Sequence, residues 1–166
     1  KRLGRGRASS VFSTPLRAIV DAPTRAEADR RRREIDARGV GAQSFFLYAK
    51  IAEWRRALLA RPAAQTGVFE IHPEVSFASL AGAAIIASKH TADGARQRRE
   101  RLAAHYGEAA VDALAAALPR RRAGIDDLYD ALAALWSAQR IAGGVAGSLP
   151  DPPEIDADGL RRCIWY

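Results

Sequence analysis

Two acidic clusters hold the side chains of this chain whose types and spacing could do chemistry. The first is Glu70, His72 and Glu74, within the run Gly67-Val-Phe-Glu-Ile-His-Pro-Glu-Val-Ser-Phe77. Val68, Phe69 and Ile71 favour extended backbone, and alternate side chains of a strand share a face. The run therefore predicts a strand that projects Glu70, His72 and Glu74 to one side and Phe69, Ile71 and Pro73 to the other. The second cluster is Asp126, Asp127 and Asp130, at the start of the run Ile125-Asp-Asp-Leu-Tyr-Asp-Ala-Leu132. Asp127 and Asp130, three apart, are neighbours on a helix surface and repel each other by about 0.2 to 0.5 kcal/mol when both are ionised.

Carboxylates gathered in this way suit Mg²⁺ or Mn²⁺, which take oxygen ligands. Each cluster also has a structural explanation. The strand could be an edge strand with one solvated polar face. In the helix, Asp126 or Asp127 can serve as N-cap, and carboxylates in a first turn interact with the helix dipole by roughly 0.3 to 1 kcal/mol. Against capping alone, Asp130 shares its side of the helix with Ala131, Ala134 and Ala138, while Leu128, Leu132 and Leu135 form the apolar stripe. Small neighbours permit close approach of another element, such as the acidic face of the strand.

The remaining elements must position these groups. Lys1 to Pro15 reads as a basic loop and Arg17 to Ala22 as a short strand. Thr24 with Glu27 forms a capping box for a helix to about Arg38, ending at Gly39. That helix holds Arg30, Arg31, Arg32 and Arg33 in succession, so one face is either simply solvated or set to contact phosphate. Gln43 to Leu59 keeps helical spacing at Tyr48, Ile51, Ala52 and Leu58, which predicts a core helix ended by Pro62. Val75 to Leu80 reads as a short helix, and Ala81 to Ala87 as a helix or a buried strand. Thr91 or Asp93 caps an arginine-rich helix that stops at Gly107. Glu108 to Leu118 is an alanine-rich helix, and Gly124 precedes the last long one. From Gly143 the chain is rich in glycine, proline and acids and closes on the apolar Ile164-Trp165-Tyr166.

Composition bounds the rest. The 166 residues are enough for one domain with a core, so residues 1–166 are read as a single domain. Net charge is +7 and the isoelectric point about 10.3, which favours acidic partners, nucleic acid first. Only Lys1, Lys50 and Lys89 of the 26 basic residues are lysines. Cys163 is the single cysteine, which excludes an internal disulfide and points to a reducing, cytoplasmic setting. The chain has no methionine, so Lys1 is expected not to be the translational start. One clear strand cannot form a stable sheet alone, so further strands of an α/β domain are expected upstream of Lys1.

Taken together, Phe69-Glu-Ile-His-Pro-Glu-Val-Ser-Phe77, Lys89 followed by Gly94 and the arginine helix, and Asp126-Asp-Leu-Tyr-Asp-Ala131 resemble the predicted-nuclease family catalogued as domain of unknown function 429. The Gly-Arg-Ala-Ser-Ser-Val-Phe opening and the Gly159 to Tyr166 close also look like that family. The resemblance implies a ribonuclease-H-like fold, incomplete here, in which acids on the first strand, the fourth strand and the final helix hold two metal ions. It implies Glu70 as the fourth-strand acid, and Asp127 and Asp130 as the helix acids, so that Glu70, Asp127 and Asp130 ligate Mg²⁺ or Mn²⁺. The first-strand aspartate has no counterpart in the chain. On that reading the protein hydrolyses phosphodiesters of nucleic acid, His72 orients water or satisfies a carboxylate, Glu74 is a further ligand or a partner of His72, and Lys89 contacts the scissile phosphate. The arginine helices hold the backbone without reading sequence. Two other classes fit the residues: a non-catalytic nucleic-acid-binding protein, and a hydrolase of a small phosphorylated metabolite.

Overall fold

The computed structural model describes residues 15–83 and 87–166. The expected opening loop 1–14, and Ala84–Ile86 within the apolar run, lie outside the described residues. The chain is helix-rich α/β: among the described residues it holds six α-helices and one two-stranded sheet. No described helix is long and apolar enough to cross a membrane. By its internal contacts the chain divides at Val68/Phe69 into two compact units.

The unit within residues 15–68 is built on two helices, α1 (Arg25–Asp36) and α2 (Ala42–Ala60). Arg17–Ile19, expected as strand, forms a 3-10 turn that buries Ile19. α1 starts as its capping residues dictate, the Thr24 hydroxyl accepting from the Glu27 N–H at 3.2 Å. It ends earlier than Gly39, because Ala37 takes the left-handed conformation (φ 57°) and donates its N–H to the Arg33 carbonyl. Its four consecutive arginines find acids within the unit: Arg30 pairs with Glu27 and Glu34, Arg31 with Glu27, Arg32 with Asp36 and Arg33 with Asp29. The small core joins Ile19, Ala22, Ala28, Val40 and Tyr48. α2 departs from its expected core role: Tyr48 is its buried residue, while Phe46, Leu47, Ile51 and Trp54 are exposed. Ile19, Val40 and the other small-core residues offer too little apolar surface to engage more than the Tyr48 side of a 19-residue helix.

The unit Phe69–Tyr166 is organised around a long central helix. Its helices are α3 (Pro73–Leu80), α4 (Ala92–Tyr106), α5 (Glu108–Ala117) and α6 (Ile125–Ala142), followed by the hairpin β1 (Ser148–Ile155) and β2 (Arg161–Trp165). α3, α4 and α5 all pack on α6. Phe77, Leu102, Val111, Tyr129, Leu132 and Ala133 form the core, with Tyr106 donating its hydroxyl to the Leu132 carbonyl at 3.1 Å. The buried stripe of α6 is Tyr129, Leu132, Ala133, Trp136 and Ser137, so the expected apolar position Leu135 lies outside it, half exposed. The small residues that admit a neighbour are Ala133 and Ser137, not Ala131 and Ala138: the Ser137 hydroxyl meets that of Ser76 on α3 at 2.7 Å.

The hairpin occupies the stretch rich in glycine, proline and acids. Ser148 and Leu149 face Trp165 and Ile164, and Glu154 and Ile155 face Arg162 and Arg161, with the register broken between the two sets. Pro150, Pro152 and Pro153 fall in or beside that break; lacking N–H groups, they cannot sustain a ladder and so conceal the strand in the sequence. The expected strand from Gly67 to Phe77 is overturned: its first half forms no named strand and its second half is helix. Only Ile71 pairs, in a parallel bridge to Trp165, whose N–H donates to the Glu70 carbonyl at 2.8 Å. Pro73 then begins α3, since its fixed φ and missing N–H suit the first helical position. The backbone period changes from two to 3.6 at that point, so Glu74 does not share a strand face with Glu70 and His72.

Candidate functional site

The charged side chains that converge are on α6, α3 and the loop before α4. Lys89 donates to the Asp130 carboxylate at 2.8 Å and stands 3.7 Å from that of Asp126. Asp126 and Asp130 are one helical turn apart and flank the ammonium together. His90 adds a ring nitrogen 3.9 Å from Asp126. The hydrogen bond from Lys89 to Asp130 holds the ammonium above its ordinary pKa despite partial burial, with Asp126 and Glu74 adding attraction. Asp130 is about a quarter exposed, yet its Oδ1 is buried and has no hydrogen-bond partner among the described residues.

Asp127 faces elsewhere. Its carboxylate accepts the Gly124 N–H at 2.8 Å, the reach-back bond of a helix N-terminus, and the residue is exposed. The helix neighbour of Asp130 at the lysine is Asp126, four residues back rather than three. That pairing was legible from helical geometry, since i,i+4 positions are as close as i,i+3 positions.

Glu74 lies in the first turn of α3, buried, and takes two hydrogen bonds from the Arg98 Nη2, at 2.7 and 2.8 Å. Arg98 is itself 1% exposed, stacks over Phe77 with 5.5 Å to the ring centroid, and gives its Nη1 to the carbonyls of Gly94 and Ala87 at 2.9 and 3.2 Å. Arg98 escaped the sequence analysis as one of several arginines in its helix. The available signal was spacing: Gly94, Arg98 and Leu102 recur at every fourth position, the stripe that α4 buries.

Glu70 and His72 sit on the extended segment beside β2. The Glu70 residue remains exposed, while loss of water around part of its carboxyl pushes its pKa up and nearby His72 pulls it down. The His72 carbonyl accepts the N–H groups of Val75 and Ser76 at the start of α3. Among the described residues, no three His, Cys, Asp or Glu side chains come together as a metal-holding group.

A cavity of about 280 Å³ is lined by Phe69, Ile141, Gly144, Ala146 and Trp165. It belongs to the far end of α6, roughly 16 Å along the helix from Asp130 at 1.5 Å per residue, and its lining is apolar.

Most arginines of α4 are engaged much as those of α1 are. Arg96 pairs with Asp93 and Glu100, and Arg99 ties α4 to α5 through Glu108 and Asp112. The exposed turn Arg120–Arg122 lies directly before α6, close in sequence to Asp126.

Compared with known proteins, the chain finds no significant match among curated proteins or solved structures. A family model does match it, over residues 1–155 and thus almost its whole length, and the chain belongs to that family, the proteins of unknown function DUF429.

Proposed function

We propose that this protein is a divalent-metal-dependent hydrolase of phosphodiester bonds, built on a ribonuclease-H-like plan, with Asp126, Asp130 and Lys89 at its centre. The observation that carries this reading is the Lys89 ammonium seated between two carboxylates, one of which keeps a buried oxygen without a partner among the described residues. The donor set suits the ion: Mg²⁺ retains several waters and is commonly held by one or two carboxylates together with substrate phosphate. Asp126 and Asp130 would hold it; Glu70, the further acid that the likeness to ribonuclease-H-like nucleases implies, follows Phe69 at the far end of α6 and does not join them. When bound, the ion supplies Lewis-acid stabilisation of charge on the phosphoryl group. Lys89 offers the phosphate a cation already positioned at the carboxylates. Asp127 secures the start of α6.

Which phosphodiester is taken turns on the arginines. Those of α1 and most of α4 are neutralised by neighbouring acids, which favours a second reading, a small phosphorylated metabolite over a long polyanion. For nucleic acid, the Arg120–Arg122 turn supplies the backbone contact.

The test is hydrolysis in Mg²⁺ or Mn²⁺ of single- and double-stranded DNA and RNA, beside bis(p-nitrophenyl) phosphate. The wild-type protein is compared with an Asp126→Asn, Asp130→Asn double variant. Metal-dependent hydrolysis lost in the variant supports the proposal, and the substrate arm identifies the class. Hydrolysis undiminished in the variant, or none on any substrate, overturns it.

A further inference from the structure

We propose that Glu74 is a positioning residue for Lys89: through Arg98 it holds the 87–88 backbone against α4 and thereby seats the lysine on Asp130. The role of Lys89 at the carboxylate pair is that of the proposed function, whereas its seating is a property of the structure with its own readout.

The connection runs through contacts between named atoms. Both oxygens of Glu74 accept from Nη2 of Arg98, and Nη1 of the same guanidinium donates to the Ala87 carbonyl, two residues before Lys89. The following carbonyl, that of Ser88, accepts the Thr91 N–H at 3.0 Å and the Thr91 hydroxyl at 2.8 Å, and Thr91 caps α4 by accepting the Gly94 N–H. Gly94 lets the loop come this close: a Cβ there would lie 1.9 Å from the Ser88 oxygen and 2.6 Å from its carbon. Lys89 leaves this clamped backbone and reaches Asp130 on another helix at 2.8 Å. The guanidinium thus joins α3, α4 and the loop through one rigid fork, which an amine could not do.

Stability alone is a poor account of the pair. Two buried charges recover little beyond the cost of leaving water, and well-packed apolar side chains often serve as well. What the pair adds is direction: the planar fork fixes where the Ala87 carbonyl lies relative to α3.

The test reads lysine chemistry without metal or substrate. The folded protein is acylated briefly with a limiting amine-reactive ester, and the modification of Lys89 is measured by mass spectrometry against Lys50, which is exposed on α2. Asp130→Asn sets the scale by removing the carboxylate that receives the lysine. Glu74→Gln is expected to raise Lys89 labelling about twofold to fivefold, the range that corresponds to losing one partly exposed ion pair. Val75→Ala, a truncation of the adjacent buried residue, is expected to leave the ratio unchanged while destabilising the same helix. If Glu74→Gln does not fold, Arg98→Lys replaces it, since a lysine cannot span Glu74 and the Ala87 carbonyl together; the same rise is expected. Lys89 labelling at the wild-type ratio in the folded Glu74 or Arg98 variant would overturn the proposal. So would an equal rise in Val75→Ala.

Discussion

Replacing Gly94 by alanine sets two effects of opposite sign against each other. In an isolated helix the change is favourable, by up to about 1 kcal/mol. Here the added carbon would lie 1.9 Å from the Ser88 oxygen, so the loop must retreat by about 1.5 Å to reach 3.4 Å, where ordinary contact begins. Backbone moved that far forfeits the Ser88 carbonyl's two bonds with Thr91 and the Ala87 carbonyl's bond with Arg98, at 3.0, 2.8 and 3.2 Å. At about 1 kcal/mol each these amount to about 3 kcal/mol. Set against the helix gain, the net loss is about 2 kcal/mol. With a urea dependence of about 2 kcal/mol per molar for a chain of this size, the midpoint should fall by about 1 M in unfolding followed by circular dichroism. Lys89 should acylate faster in the same variant, because its loop no longer sits against α4. A Gly94→Ala protein as stable as wild type or more so would refute the close approach of loop and helix, leaving the Lys89–Asp130 contact without its support.

Other consequences can be checked separately. Asp127→Ala should cost about 0.5 to 2 kcal/mol through loss of the bond to the Gly124 N–H, read as a lower melting temperature, while the proposed metal-dependent hydrolysis is expected to persist. Glu27, hydrogen-bonded by Arg30 and then Arg31, has its carboxyl lowered from 4.5 to about 2. Because its folded value is depressed, its contribution is complete above pH 4.5 and is lost as pH falls towards 2; a carboxyl carbon titration by NMR with a midpoint near 4.5 would contradict the ion pairs. Leu132→Ala, in the core against Phe77, Leu102 and Tyr129, should cost about 2 to 5 kcal/mol in urea unfolding, whereas Leu135→Ala, half exposed one turn along, should cost far less.

Much of the helical framework could be read along the chain. Thr24 with Glu27, Thr91 with Gly94, the stop at Gly107 and the start after Gly124 are local signals, since a cap is satisfied by residues within one turn. The hairpin was hidden because Pro150, Pro152 and Pro153 interrupt the alternation that marks a strand, and its pairing comes from Arg161–Trp165 instead. Pro73 was ambiguous in the other direction. It can end a strand or begin a helix, and Arg98, the buried partner of the next residue, Glu74, lies 24 residues beyond that glutamate.

The candidate site divides in the same way. That acids gather at the start of α6, and that Lys89 precedes a capped helix, is written in residue order. Which acids face the lysine is not: Asp126 and Asp127 are adjacent in the chain, but one points at Lys89 and the other back at Gly124. Glu74, expected as a further ligand or a partner of His72, is committed to Arg98 by burial, because a carboxylate removed from water must find a charge of opposite sign. The sequence by itself determined the helices and the supply of acids, both set by neighbours within a turn. Only the tertiary structure decided the partners of Lys89, Glu74 and Arg98, because those depend on which side chains three packed helices enclose together.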